Sequence, residues 1–330
     1  MGVNTKIIKR RIKSIGNTKK ITKAMEMISA VKMRKAVANV LATRNYAKMA
    51  WSMLQDIGKI TDVSLHPLLQ KRPVKKVGII MITSNRGLAG GFSSKLLVEL
   101  DKYIKNLSVI PDYDPVSSGQ DSPVLSRGND NVTAEVILLG KRGRKIYKNF
   151  GHTVVAEFDK VDLTTKIEEV SPMSRSAVAD YVNGKYDKLC VAYTDFRSAI
   201  KQEAVVKQLL PFVGESDNFL PLADPLRQSE SEARGVAKRG SESGELEFTF
   251  EPNPLEVLDL LIPRLVEMQI YQAILESDAS EHSARMMSMR NATDAAADII
   301  KELNYTYNKA RQSAITQEIA EIVGGAAALG

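Results

Sequence analysis

The residues best placed to do chemistry are the eight at 84–91, Ser-Asn-Arg-Gly-Leu-Ala-Gly-Gly. They follow an apolar, β-branched run at 74–83 and precede an amphipathic stretch from 92 to about 107. A strand, a glycine-rich turn and a helix open a Rossmann-like unit, in which backbone N–H groups at the helix N-terminus can cradle a phosphate. The spacing suits that chemistry poorly, because neither GxGxxG nor the Walker lysine is present. The glycines are therefore read as serving a tight strand-to-helix turn. Other reactive residue types are sparse. Cys190 is the single cysteine, which excludes an internal disulfide and a thiolate metal cage; with no histidine near it in sequence, it reads as a buried small hydrophobe. His66, His152 and His282 show no metal-ligand spacing. No catalytic, cofactor-binding or metal-ligating residue emerges.

Charge recognition is the other chemistry on offer. The stretch 6–35 holds eleven basic residues, with Glu26 as its sole acid. That suits an acidic partner: nucleic acid, anionic lipid or an acidic protein loop. Nucleic acid is disfavoured, since the stretch has no aromatic residue to stack on bases and belongs to no helix-turn-helix or zinc module. Residues 1–57 carry thirteen Lys/Arg against two acids, 58–254 carry 27 against 26, and 255–330 carry six against eleven. Opposite charge at the two ends favours antiparallel pairing of the terminal segments, although exposed ion pairs set orientation more than stability.

Three architectural elements must position these groups. Residues 3–57 read as one helix, with Ile8, Ile12, Ile15, Ile21, Met25, Ile28, Val31, Ala38 and Leu41 near helical spacing and Gly16-Asn17 as a weak point. Residues 254–323 read as a second helix, bent at Pro263. Within it Met286, Met289, Thr293, Ala296, Ile300, Leu303, Tyr307, Ala310 and Ala314 recur at steps of three and four. That is the 3.5-residue seam of a left-handed coiled coil, and its alanines and threonines call for a closely approaching partner helix. At about 1.5 Å per residue such a helix is roughly 100 Å long, so part of it is expected to project from the body.

Between the helices, strands are expected at 132–139, 153–158, 188–196 and 203–213. Helices are expected at 141–150 and 163–183, the latter disturbed in its first half by Pro172. Together with the 74–107 unit they make an α/β layer. The polar stretches 110–131 and 214–244 read as exposed insertions. With 330 residues, 44% hydrophobic and 26% charged, the composition is that of an ordinary globular protein, and no apolar run approaches the length of a membrane span. The residues alone leave three function classes open: a mechanical subunit, a coiled-coil adaptor with a basic nucleic-acid-binding helix, and a nucleotide-binding oxidoreductase. The last would need a dinucleotide fingerprint and a proton donor that the sequence does not supply.

Several blocks together resemble a known family. They are Ile7-Ile8-Lys9-Arg10, Lys13-Ser14-Ile15-Gly16, Lys20-Ile21-Thr22-Lys23-Ala24-Met25-Glu26-Met27 and Lys32-Met33-Arg34-Lys35-Ala36, then the 84–91 turn. Near the C-terminus come Arg285-Met286-Met287, Asn291-Ala292-Thr293-Asp294, Tyr307-Asn308-Lys309-Ala310-Arg311-Gln312 and the run 315–325, which begins Ile315-Thr316-Gln317-Glu318. The chain is similar, apart from its two insertions, to the gamma subunit, the central rotor shaft, of rotary proton-translocating ATP synthases of the bacterial type. The family turn usually reads Ser-Asp-Arg-Gly-Leu-Cys-Gly; Asn85 and Ala89 replace its acid and its cysteine. The insertion 214–244 lies where plant chloroplast members carry a regulatory cysteine pair, and it contains no cysteine, which excludes thiol switching.

The resemblance implies an α/β fold with two parts. Residues 1–57 and 254–330 form a discontinuous, antiparallel two-helix coiled-coil shaft, and 58–253 form a Rossmann-like domain. It implies a chain without catalytic groups or cofactor, with neither nucleic acid nor a small-molecule substrate as partner. The implied partners are the ring of alpha and beta subunits, the epsilon subunit and the membrane c-ring, and rotation of the shaft couples proton flow to ATP synthesis or hydrolysis at the beta subunits. By the same resemblance Lys20, Lys23, Met25, Arg34, Lys35, Arg86, Arg285, Gln312, Thr316 and Glu318 meet the beta subunits, and Phe248 and Glu251 meet the c-ring. Ile315, Ile319, Ile322 and Val323 make an apolar bearing tip. The implied location is peripheral, at the cytoplasmic face of the bacterial plasma membrane, or at the thylakoid membrane in a photosynthetic organism.

Overall fold

The structure is a computed structural model that describes residues 5–60, 66–70, 72–107, 132–147, 153–164, 166–211 and 254–329. Both expected insertions, and with them Phe248 and Glu251, lie outside the described residues. The elements in order are α1 (Thr5–Ile60), β1 (Lys76–Ile82), α2 (Phe92–Leu107), β2 (Thr133–Leu139), α3 (Lys141–Tyr147), β3 (Thr153–Phe158), α4 (Ser171–Val182), β4 (Lys188–Phe196), β5 (Gln202–Leu210) and α5 (Pro254–Leu329). Two compact units result: Met1–Val31 with Arg285–Gly330, and Lys32–Ala284.

The Lys32–Ala284 unit is built on a five-stranded sheet in the order β3-β2-β1-β4-β5. Its first four strands are parallel and β5 runs antiparallel to β4. Alternation along the strands sorts the core into two layers. Val77, Ile79, Met81, Val136, Leu138, Cys190 and Ala192 pack with Leu96, Leu97 and Leu100 of α2. Ile80, Ile82, Ile137, Leu139, Leu189, Val191 and Tyr193 pack with α4 and with the 258–275 stretch of α5. Cys190 is fully buried, as expected of a small core hydrophobe. Gly78 lets two elements close: a Cβ there would stand 2.9 Å from the buried Tyr186 ring.

Pro172 does not disturb a helix. It sits in the first turn of α4, which begins at Ser171 rather than 163, because a proline fits where the N–H would be unpaired anyway. Gly16-Asn17 is likewise no break, and α1 runs through it.

In the other unit two helices lie side by side. The Thr293 hydroxyl donates to the Thr22 hydroxyl at 2.8 Å, both buried. If each step up α1 is a step down α5, Thr5 falls level with Ala310. Ala310 is the last partly covered residue of α5; from Arg311 to Ala326 every described side chain is exposed. The pairing is therefore antiparallel, and cover ends where α1 begins. In the sheet-bearing unit the same register joins the Thr43 hydroxyl to Gln272 at 2.7 Å. The 3.5-residue seam expected on α5 holds from Met286 to Ala310, all of it buried or half-buried, and fails at Ala314, which is exposed because no α1 residue is level with it.

On α1 the seam differs from the sequence reading. Ile8, Ile12, Ile15, Lys19, Thr22, Glu26 and Ser29 form it, at steps of four and three. Ile21, Ile28 and Val31 instead face outward, 61%, 57% and 57% exposed. Small hydroxyl side chains hold the seam positions because Thr293 and Ala296 opposite leave room only for a close approach.

Candidate functional site

The turn after β1 is held by its own chain. The Thr83 hydroxyl donates to the Gly140 carbonyl at 2.9 Å and accepts from the Gly143 N–H at 3.1 Å. The Asn85 amide spans two neighbours: its oxygen accepts from the Lys141 N–H at 3.2 Å, and its nitrogen donates to the Lys160 carbonyl. The Ser84 and Ser93 hydroxyls pair at 3.0 Å. Gly140 has φ of 104°, and a Cβ there would strike the Thr83 carbonyl at 2.4 Å, so only glycine lets β2 end beside β1. Asn85, where the family has an acid, is thus an internal fastener, while Arg86 and Leu88 stand exposed on the same turn. Leu88 has φ of 65°, a left-handed conformation costly for a branched side chain.

A second cluster fixes α5 to the sheet-bearing unit. Residues 276–283 read Glu-Ser-Asp-Ala-Ser-Glu-His-Ser, and every one of them is buried. Lys160, its side chain 2% exposed, lies 2.6 Å from Asp278 and 2.8 Å from Glu281. Burial opposes the charge on Lys160, but the two carboxylates more than offset it and hold the ammonium above its ordinary pKa. Asp278 also accepts from the Thr164 N–H at 2.9 Å, and the His282 Nε2 lies 3.1 Å from the Asp162 carbonyl. Asp162 pairs with Lys32 of α1, and that hydrogen bond draws its carboxyl below the usual range against the opposing effect of burial. Toward β4, Ser280 donates to the Thr194 carbonyl at 3.1 Å, and Ser283 to the Ala199 carbonyl at 2.6 Å.

The residues that the resemblance nominated fall into separate groups. Lys20, Lys23, Arg34, Lys35 and Arg86 are exposed, and Lys23 lies 3.1 Å from Glu26 on its own helix. Met25 is half-buried, and Arg285 is buried at 7% exposure. Gln312, Thr316 and Glu318 lie on the uncovered part of α5, where the Thr316 hydroxyl turns back to the Gln312 carbonyl at 3.0 Å. In the antiparallel register Lys20 to Met25 are level with residues 290–295, so the Gln312 group stands roughly 25 to 40 Å further along α5. The two sets are not brought together. Ile315, Ile319, Ile322 and Val323 are 49% to 67% exposed. Sequence reasoning missed the outward row of Ile21, Met27, Ile28 and Val31, and the buried polar cluster on α5.

Comparison with known proteins matches residues 4–329 to the family model described as ATP synthase. An ATP synthase gamma chain of Dehalococcoides mccartyi is 38% identical over 328 residues, covering 99% of each chain. One from Legionella pneumophila is 34% identical over 324 residues, 98% of this chain and 99% of the relative. Among solved structures, a chain of the Euglena gracilis mitochondrial ATP synthase OSCP/F1/c-ring assembly aligns with a TM-score of 0.59 at 17% identity, over 98% of this chain and 94% of that one. A chain of the Tetrahymena thermophila mitochondrial ATP synthase central stalk and c-ring aligns with a TM-score of 0.54 at 18% identity, over 82% and 99%. These relatives lend no support to a nucleic-acid adaptor.

Proposed function

Since the chain belongs to the ATP synthase family, among the gamma chains, we propose that it is the rotor shaft whose turning couples proton flow through a membrane c-ring to ATP synthesis or hydrolysis at the beta subunits. ATP chemistry then takes place on the beta subunits, and this chain supplies no catalytic group. The shaft comprises residues 1–57 and 254–330, and the 58–253 domain is the part that meets the epsilon subunit. In this reading the chain is peripheral to the membrane, held by its partners at the cytoplasmic face of a bacterial plasma membrane, or at the thylakoid membrane in a photosynthetic organism. No described helix is long and apolar enough to cross a membrane.

The observation that carries this reading is the set of exposed apolar side chains along the helix pair and on the uncovered end of α5. Ile7, Ile21, Met27, Ile28 and Val31 on α1, and Ile299, Ile315, Ile319, Ile322 and Val323 on α5, are all more than 40% exposed. Burying one such side chain is worth about 1.5–3 kcal/mol, and a run of them left in water marks a surface made for a partner. An apolar surface suits a partner that must be slid past, because dispersion contacts have no preferred direction. Lys20 and Lys23 in one unit, and Arg34, Lys35 and Arg86 in the other, add cations for acidic loops of the beta subunits, each pair contributing on the order of 1 kcal/mol or less. Phe248 and Glu251 are assigned to the c-ring by family resemblance alone.

The double variant Ile21→Asp/Ile28→Asp tests the reading. Both residues are exposed, so the isolated chain should keep its stability within about 0.5 kcal/mol. Assembly with alpha and beta subunits, or ATP-driven rotation of the assembled complex, should be strongly impaired. Normal assembly and rotation would show that this face meets nothing.

A further inference from the structure

One buried group of titratable side chains plays no part in the proposed rotor role. Glu276 of α5 is 2% exposed and hydrogen-bonds to Asp195 of β4, itself 2% exposed. Two carboxyls can share a buried hydrogen bond only if one of them keeps its proton, since otherwise two acceptors face each other. The groups around them decide which. From α5, the Gln272 Nε2 donates to Glu276 at 3.2 Å. From α1, the Thr43 hydroxyl donates to Gln272 at 2.7 Å. From β4, Tyr193 bonds to Glu276. Beyond the end of β4, Arg197 lies 2.9 Å from Asp195 and 3.4 Å from Glu203 of β5. Lys207 of β5 faces both carboxyls. Asp195 has the guanidinium beside it, and so Asp195 is the anion and Glu276 the donor.

We propose that Glu276 and Asp195 form a proton-gated clamp: while one proton is shared between them α5 is held to β4 and β5, and when that proton leaves the hold loosens. The hydrogen bonds run from Thr43 through Gln272 to Glu276 and Asp195, with Arg197 beside Asp195 as an ion pair and Lys207 of β5 facing both carboxyls, so the shared proton is the link between α5 and β4. Loss of the proton sets two carboxylates against each other in a region that excludes water, where repulsion is only weakly screened. Arg197 cannot fully compensate, because it is shared with Glu203 and is 29% exposed. Burial, the largest influence, and the Asp195 charge push Glu276 up to about 8, and burial lowers Lys207, so its compensating charge is weakened in the same direction as the pH rises. A carboxyl held above its ordinary pKa supports the fold most fully below the ordinary value and loses that support as pH rises through the elevated one. The clamp is closed in neutral solution and opens in mildly alkaline solution.

Carboxyl-carbon NMR titration of the full chain, labelled at glutamate side chains, reads the proton directly. One glutamate should titrate near pH 8 in the wild type, and that signal should vanish in Glu276→Gln. Hydrogen-exchange protection of amides in β5 and in the 272–283 stretch reads the clamp. From about pH 6 to about pH 9 protection should fall roughly tenfold or more in the wild type and stay level in Glu276→Gln, whose amide donates at every pH. Asp195→Asn keeps the test decisive if Glu276→Gln misfolds, since removing the neighbouring anion should move the glutamate titration toward the ordinary range. A wild-type chain whose glutamates all titrate in that range overturns the proposal. So does an equal alkaline loss of protection in Glu276→Gln, or an unmoved titration in Asp195→Asn.

Discussion

Replacing Lys160 by methionine removes the cation from the cluster that fixes α5 and leaves its shape nearly intact. Both facing carboxylates remain, 0% and 5% exposed at their side chains, with oxygens 2.6 and 2.8 Å from the lost nitrogen and so within about 6 Å of each other. At an effective dielectric constant of about 20 that separation costs roughly 3 kcal/mol in repulsion, which agrees with the 3–5 kcal/mol typical of breaking a buried pair from one side. Urea unfolding of the full chain at neutral pH should show a loss of about 3–5 kcal/mol with little change in the denaturant slope. The pH dependence has a definite sign. Burial already raises Asp278, and without Lys160 it rises further, so the variant's deficit should be small in acid and grow as pH climbs through the elevated carboxyl value. Lys160→Met/Asp278→Asn/Glu281→Gln should recover most of the loss, because the asparagine carbonyl still accepts from the Thr164 N–H. A single variant within about 1 kcal/mol of wild type, or a triple variant no better than the single one, would refute the reasoning.

Lys32→Met should cost less than about 1 kcal/mol at pH 7, the pair being partly exposed. Lys32 lowers the Asp162 carboxyl, so the stability gained is present above the ordinary value of 3.8 and disappears in stronger acid, where thermal unfolding of variant and wild type should converge. Gln312→Leu and Thr316→Val change side chains on the uncovered part of α5, and should alter dwell times in single-molecule rotation while the chain stays folded; Met25→Lys, which adds a charge where the proposed beta-subunit contact is apolar, should slow rotation. Wild-type rates in all three would remove these residues from the proposed beta-subunit contacts. Deleting the last five residues should leave assembly largely intact; complete loss of folding would contradict a bearing role.

Legibility in the sequence followed the range of the interactions involved. β3, β4 and α2 fall at the expected residues because each is decided locally, by a β-branched run between turn residues or by a 3.6-residue stripe. The seam of α5 was legible because Met289, Thr293 and Ala296 are buried on the strict 3.5 repeat. The seam of α1 was not, because Ile21 and Ile28 are the larger hydrophobes and sit one residue away from Thr22 and Ser29, which the partner helix covers. A hydrophobic stripe locates the buried face only when a helix has one apolar side, and this one has two. The run from Glu276 to Ser283 reads as a solvated helix surface. Its burial depends on Lys160, Thr164 and Thr194, which are more than eighty residues away and acquire meaning only once the sheet has formed. Of the nominated contacts, exposure on the helix surface could be anticipated for the lysines, whereas the burial of Arg285 could not.

Among the described residues none of α1 lies level with the stretch of α5 past Ala310, and what keeps it helical is internal to it: backbone i→i−4 bonds and side-chain bonds such as Gln317 Nε2 to Glu321 at 2.9 Å. About nineteen residues is a length at which an isolated helix is marginal in water, and Gly324 and Gly325 each cost it about 1 kcal/mol relative to alanine. A partner that enclosed that stretch, as the proposed bearing role requires, would have to provide ordering free energy along with contact, and only the surplus would appear as grip. A large apolar surface can then be sheathed without being held fast, much as a loosely sprung pin seats in a socket that still lets it turn.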